Sequence, residues 1–335
     1  MKKIIFSPTK IVLGVFITAG IIGILKGIIP FESAKSQGMK KPSSASPIVA
    51  ITKIVSHPSL DAIEQGILDE LMDQKIDLDI RLENAQGNMA TATQIAQKFL
   101  SESPQLIIPI TTPSAQTVYN AVKDSQIPVV FAAVSDPVGA RLVDAKTMKG
   151  EGITGVSDIS PIQKQLNLIK KFQPSLKRIG FLYNPGEANS VSMLKQFKEM
   201  AEKMGFTVIE AACPNSSEVP NVTRPLLETV EAIYIPNDNT IISALESVLR
   251  VVDTKLPVYA ADPDSVKRGC IAAVALSQYQ IGREVGKVAA RVLKGENPSD
   301  ISVVIPTQVE TAVNRGVAEK LGIKIPVDLM PFIIN

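Results

Sequence analysis

From Pro47 onward, short apolar β-branched runs alternate with longer stretches in which hydrophobic residues recur at helical spacing. In the first series the pattern predicts strands over Ile48–Ile54, Leu78–Glu83, Leu106–Ile110 and Val129–Ala133. Between them it predicts helices over Leu60–Gln74, Met89–Glu102 and Ser114–Ser125. A second series opens at Arg178 with strands Ile179–Tyr183, Thr207–Ala212, Ala232–Ile235 and Pro257–Ala260, separated by helices Ser190–Met204, Val222–Thr229 and Thr240–Val252. Such alternation specifies parallel sheets covered on both faces, so the fold class is α/β, with two doubly wound lobes joined by a hinge.

Beyond Cys270 the pattern continues with a strand Ile271–Ala275 and a long helix Tyr279–Leu293. Ile281, Val285, Val288, Ala289 and Val292 form the apolar stripe of that helix. A closing segment carries a strand Val303–Ile305 and a helix Asn314–Leu321. A tail that follows two complete modules has to pack somewhere, and crossing back between the lobes is the natural solution. The expected lobes are 47–157 with 277–299, and 158–276 with 300–335.

Composition sharpens this picture at the N-terminus. Lys2, Lys3 and Lys10 precede an uncharged run from Ile11 to Leu25, which is the basic and apolar layout of an export signal. At about 1.5 Å per residue this run falls short of a ~30 Å hydrocarbon core. A cleavage site ending at Ala34 would place Glu32 three residues in from the cut, so a cleaved signal peptide and an uncleaved anchor over 1–30 both stay open. No cysteine stands just beyond the run, which disfavours lipid attachment through one there. Residues 31–46, rich in Ser, Lys and Pro, read as a solvated linker.

The chain has 35 basic and 33 acidic residues, and its basic excess lies in the first 41 residues, where Glu32 is the only acid. The body is slightly acidic and has no stripe for phosphates, so no nucleic-acid partner is expected. Cys213 and Cys270 stand outside any metal-ligand spacing, and His57 is the only histidine, so neither a metal nor a cofactor is expected. No GxGxxG follows a strand, and GxxxxGK[ST] and GxSxG are absent, which disfavours an enzyme.

In open α/β sheets ligands sit at the carboxyl ends of strands, where helix N-termini offer unpaired donors. In the first module those ends carry His57, the segment Thr111–Gln116 with Thr112, Ser114 and Ala115, and Ser135 with Asp136. Hydroxyls and free N–H groups at a helix start suit a carboxylate. In the second module Asn189 and Ser190, Asn237 and Asp238, and Asp262 supply acceptors for an ammonium group. The same residue types are ordinary helix caps and turn formers, so each of them has a capping alternative.

Eight ordered blocks carry a resemblance along almost the whole folded length. They are HPSLDAIEQGILDEL, NAQGNMATATQIAQKF, TTPSAQ, PVVFAAVSDPVGARLV, GITGVSD, GFLYNPGEANSV, YIPNDNTIISALE and PVYAADPDSVKRGCIA. With these the chain resembles the ABC-importer substrate-binding proteins associated with tryptophan and tyrosine uptake. The resemblance implies a type I periplasmic-binding-protein fold with three crossovers between lobes, and binding without catalysis. It also implies a small-molecule ligand, such as an aromatic amino acid, and a membrane permease as partner. Carried over residue by residue, it gives the carboxylate to Thr112 and Ser114 and lines the cleft with Asp136, Asn189, Ser190, Asp238 and Asp262. The missing lipobox cysteine departs from Gram-positive members and favours a periplasmic protein. A membrane-anchored sensor domain on the same fold is the alternative. Tyr183, Tyr234, Tyr259 and Phe131 are the candidate rings for stacking.

Overall fold

The computed structural model describes residues 46–334. The expected leader, and the linker up to its last residue, lie outside this range. Two sheets organise the rest. The first holds β1 (Ile48–Lys53), β2 (Asp79–Asn84), β3 (Leu106–Ile110), β4 (Val129–Ala132) and β5 (Ile153–Val156), all parallel, in the order β2-β1-β3-β4-β5. The second holds β6 (Arg178–Tyr183), β7 (Thr207–Ala212), β8 (Ala232–Ile235), β9 (Val258–Ala260), β10 (Ala272–Leu276), β11 (Val309–Asn314) and β12 (Ile333–Ile334). Its order is β12-β11-β10-β9-β8-β6-β7, with β11 antiparallel to β10. The central strands are apolar along their whole length because helices cover both faces.

Several elements lie where the sequence pattern assigns none. Among them are β5, β11, β12, the helix Pro263–Arg268 and the helix Ile162–Phe172, which buries Ile162, Leu166, Ile169 and Phe172 in the second core. The closing segment also departs from expectation. In place of a strand Val303–Ile305 in the second lobe, Val304 forms a bridge with Val156 of β5, and Ile301 and Val303 bury in the first core. Ladder bonds enforce this: Val304 N donates to Gly155 O and Ser157 N to Val304 O, each at 2.9 Å. The Thr154 hydroxyl adds a bond to Ile301 O at 2.8 Å. The lobe boundary expected at residue 300 therefore falls after Val304.

The helix Gln278–Leu293 packs its apolar stripe into the first core, against the helix Pro58–Asp73. Glycine permits the close approach, since a Cβ on Gly282 would stand 2.1 Å from Ile63 O and one on Gly66 2.2 Å from Tyr279 O. The chain thus passes between the lobes three times, at 157–161, 276–278 and 305–308. Strand β11 and the helix Arg315–Lys320 then complete the second lobe.

Candidate functional site

The carboxyl ends of both sheets face each other across a narrow cavity. From the first lobe it is lined by His57, Ser59 and Leu60 after β1, Thr111 and Thr112 after β3, Ala133 and Ser135 after β4, and Asp158 after β5. The second lobe supplies Asp262 after β9, Asn237, Asn239 and Ile242 after β8, and Asn189 after β6, while Gln278 reaches in from a crossing. Strand order fixes how these residues are spread. One end of the cavity lies between β1 and β9, where the Ser59 hydroxyl donates to Asp262 Oδ1 at 2.8 Å. The other lies between β5 and β8, where Asn237 Nδ2 donates to Asp158 Oδ2 at 3.1 Å.

Hydrogen-bond accounting singles out this place. Among the described residues ten buried side-chain polar atoms have no partner within the chain, and seven of them belong to the cavity and its helix start. They are both nitrogens of His57, the hydroxyls of Thr111, Thr112 and Ser114, Asp158 Oδ1 and Asn189 Oδ1. The other three sit on Glu70, Glu102 and Arg268, each held in an ion pair. A buried polar group left unpaired costs about 1–3 kcal/mol, so such a cluster is the complement of a polar ligand.

The backbone is strained at the same rim. Thr111, with φ 84° and ψ 160°, occupies a region that belongs almost wholly to glycine, and Ala133 stands at φ 52°. This turn starts the helix Thr112–Val122, whose first-turn N–H groups have no helical acceptor. Thr111, Thr112 and Ser114 thus put three hydroxyls at one place, beside the backbone N–H groups of Thr112 and Ser114.

The acids differ in how their oxygens are used. Burial pushes the Asp158 carboxyl above its ordinary pKa, against bonds from Ser135 and Asn237, and Oδ1 is left without a partner. Asn189 Nδ2 donates to Asn237 O at 2.8 Å, so its free Oδ1 belongs to the same end of the cavity. Two free acceptors there suit a cation. Asp262 already accepts from Ser59, from Ser265 N at 2.9 Å and from the Ser265 hydroxyl at 2.6 Å, capping the helix Pro263–Arg268. Burial lowers the pKa of His57 to about 4, with the Asp262 carboxylate opposing, so the imidazole is neutral at pH 7.

Of the residues expected in the cleft, the structure brings His57, Thr112, Ser135, Asn189, Asn237 and Asp262 to the cavity. Ser114 stands one turn behind the lining with its hydroxyl unpaired, and Ala115 is buried in the first core. Asp238 and Ser190 are not part of the lining. Asp238 caps the helix Asn239–Ser243 through Ile241 N at 2.9 Å, and its other oxygen accepts from Asn184 N and the Ser190 hydroxyl, each at 2.6 Å. Burial and then the neighbouring Glu187 carboxylate raise the Asp238 pKa to about 7. Asp136 closes its own turn through Gly139 N at 2.8 Å and reaches the second lobe through the Ser192 hydroxyl at 2.6 Å. The proposed stacking rings also lie elsewhere. Tyr234 and Phe131 are fully buried, Tyr259 bonds Gln173, and Tyr183 borders a groove on the outside of the second lobe. Asp158, Ser59, Leu60, Ile242 and Gln278 are lining residues that the strand-end reading did not select.

Comparison with known proteins agrees with this architecture. The family model described as ABC transporter substrate binding protein matches residues 48–331. A tyrosine-binding protein of Clostridioides difficile is 34% identical over 317 residues, which is 92% of this chain and 91% of that protein. A solved structure of an ABC domain in complex with L-Trp, from Streptococcus pneumonia, is 34% identical and superposes with a TM-score of 0.83, covering 87% of this chain and 100% of that one. A ligand-free, open structure of a substrate binding protein with adhesive properties from Clostridium difficile is 35% identical. It covers 86% of this chain and 99% of its own, but reaches a TM-score of only 0.65. At nearly equal identity the chain superposes more fully on the liganded relative than on the open one, and hydrogen bonds join its two lobes here. The fold is the type I periplasmic-binding-protein fold, shared with solute binding proteins of much lower identity. The chain belongs to the ABC transporter substrate-binding protein family.

Proposed function

We propose that this protein captures an amino acid, and specifically an aromatic one, between its lobes and delivers it to a membrane permease from outside the cytoplasm. The observation that carries the reading is the distribution of partnerless buried atoms: hydroxyl donors on Thr111, Thr112 and Ser114, and acceptors on Asp158 and Asn189. A zwitterion matches that arrangement. Its carboxylate takes the donors at the helix start, where the helix dipole adds to the attraction. Its ammonium takes Asp158 Oδ1 and Asn189 Oδ1, and Asp158 gains the counter-charge that its burial lacks. Two relatives at 34% identity, one named as a tyrosine-binding protein and one solved in complex with L-Trp, support an aromatic side chain.

Binding requires no bond making. The ligand holds the lobes together because contacts from both are complete only when they are closed, and its differential affinity sets the closed population. The three crossings at 157–161, 276–278 and 305–308 absorb the movement. Calorimetry of residues 46–335 with L-tyrosine, L-tryptophan, L-phenylalanine, L-leucine and L-glutamate tests the reading. At least one aromatic amino acid should bind with micromolar or better affinity, while tyramine, which lacks the carboxylate, should fail. Equal binding of tyramine and L-tyrosine would overturn the assignment of the helix start.

A further inference from the structure

His57 is the cap residue ahead of the helix Pro58–Asp73, with only 6% of its surface exposed, yet neither ring nitrogen has a partner within the chain. It lies at the β1/β9 end of the cavity, opposite to the Asp158 and Asn189 acceptors. Leu60 and Ile242 line this same end; the Arg268 guanidinium, in the helix that Asp262 caps, donates to Ile242 O at 2.9 Å. A ligand whose ammonium is held by Asp158 and whose carboxylate meets Thr111–Ser114 therefore extends its side chain toward two aliphatic walls and an unsatisfied imidazole.

We infer that His57 reads a hydrogen-bonding group at the tip of the ligand side chain, and that the ring it selects is a phenol. This rests on the amino-acid reading above and adds to it the identity of the side chain. A neutral imidazole presents one N–H donor and one bare nitrogen acceptor. A phenol hydroxyl both donates and accepts, so it can answer either nitrogen according to the tautomer. An indole N–H only donates, and a phenyl ring answers neither nitrogen. The order of preference is thus L-tyrosine over L-tryptophan over L-phenylalanine, with Leu60 and Ile242 enclosing the ring in each case. A pocket built to bond a hydroxyl rejects the analogue without it because its own buried groups then go unpaired.

Calorimetric titration of the unaltered protein with the three amino acids and with O-methyl-L-tyrosine is the first arm. L-Tyrosine should bind about 10- to 100-fold more tightly than L-phenylalanine, and the O-methyl ether should lose at least about tenfold. In the second arm His57→Leu should bring the tyrosine-to-phenylalanine ratio close to one, whereas His57→Gln, which keeps a donor and an acceptor, should retain part of the preference. The first arm stands without any variant, so poor folding of His57→Leu leaves the inference testable. Tyrosine and phenylalanine binding alike to the unaltered protein, or a ratio that survives His57→Leu, would overturn the role of His57 and leave the amino-acid reading standing. If none of the three binds, both fall.

Discussion

The two rims of the cavity are built from similar residues but use them in opposite ways. On the first lobe, Thr111, Thr112 and Ser114 keep hydroxyls without partners, and Thr111 and Ala133 hold backbone angles that side chains disfavour. On the second, Asp238 and Asp262 occupy equivalent strand ends but use their oxygens to cap helices and tie loops together. A polar residue at a strand end is thus a ligand contact or a structural brace according to whether its hydrogen bonds are already made. The unfinished rim carries strain and unpaired groups that a ligand can repay, whereas at Asp238 and Asp262 the hydrogen bonds are already made.

Exchanging acids between the two roles gives the largest effect. Asp158→Asn removes the anion facing the ammonium and should weaken amino-acid binding by at least two orders of magnitude, since breaking a buried charge pair costs about 3–5 kcal/mol. The unliganded fold should be no less stable, because a desolvated carboxylate is removed. Asp238→Ala should do the reverse, costing about 2–3 kcal/mol in denaturant unfolding through the lost cap and the stranded Asn184 N–H and Ser190 hydroxyl. Its effect on affinity should be the smaller one. A loss of binding with Asp238→Ala that exceeds that of Asp158→Asn would break the contrast.

The next effect concerns pH. His57 has its pKa lowered to about 4 in the fold, against about 6.5 in an unfolded chain. A depressed histidine leaves stability intact above pH 6.5 and removes it as the pH falls toward 4, because only the unfolded chain takes the proton in that window. Denaturant unfolding at pH 7.5 and pH 5 should show a loss of about 2 kcal/mol from this group, and His57→Gln should abolish that part.

The smallest effect sharpens the strain argument. Thr111→Gly should raise the stability of the unliganded protein by about 1 kcal/mol, since glycine adopts φ 84° and ψ 160° at little cost. It should also lower affinity severalfold through the lost hydroxyl. A Thr111→Gly protein less stable than its parent would show that this turn is not a store of strain.

Both sheets and most helix positions were legible in the sequence because apolar runs and amphipathic stretches punctuate the chain regularly. One of the elements that escaped this pattern is instructive. Strand β5 has four residues, and its third is Gly155, where a Cβ would meet Phe131 O at 2.2 Å. The packing that requires glycine there weakens the β-branched signature of the strand. With β5 unread, there was no strand end to search, and Asp158 went unselected beside it. For Asp238, Ser190 and Asp136 the reason is another. Sequence types an aspartate as cap or contact alike, and only the positions of Ile241, Gly139 and Ser192 show which hydrogen bonds it makes. His57 was identifiable as a candidate, while its two unsatisfied nitrogens appear only once Leu60, Asp262 and Ile242 close around it.

The late return of the chain to its first sheet also has a consequence for the order of synthesis. Ile281, Val285 and Val288 of the helix after the second crossing, with Ile301 and Val303, belong to the first core, which begins with Val49. A ribosome that has just finished Val156 has made every strand of that sheet but none of this cover. The first lobe thus stays incomplete until the greater part of the second has been made, so the earlier half of the polypeptide ripens only after the later one.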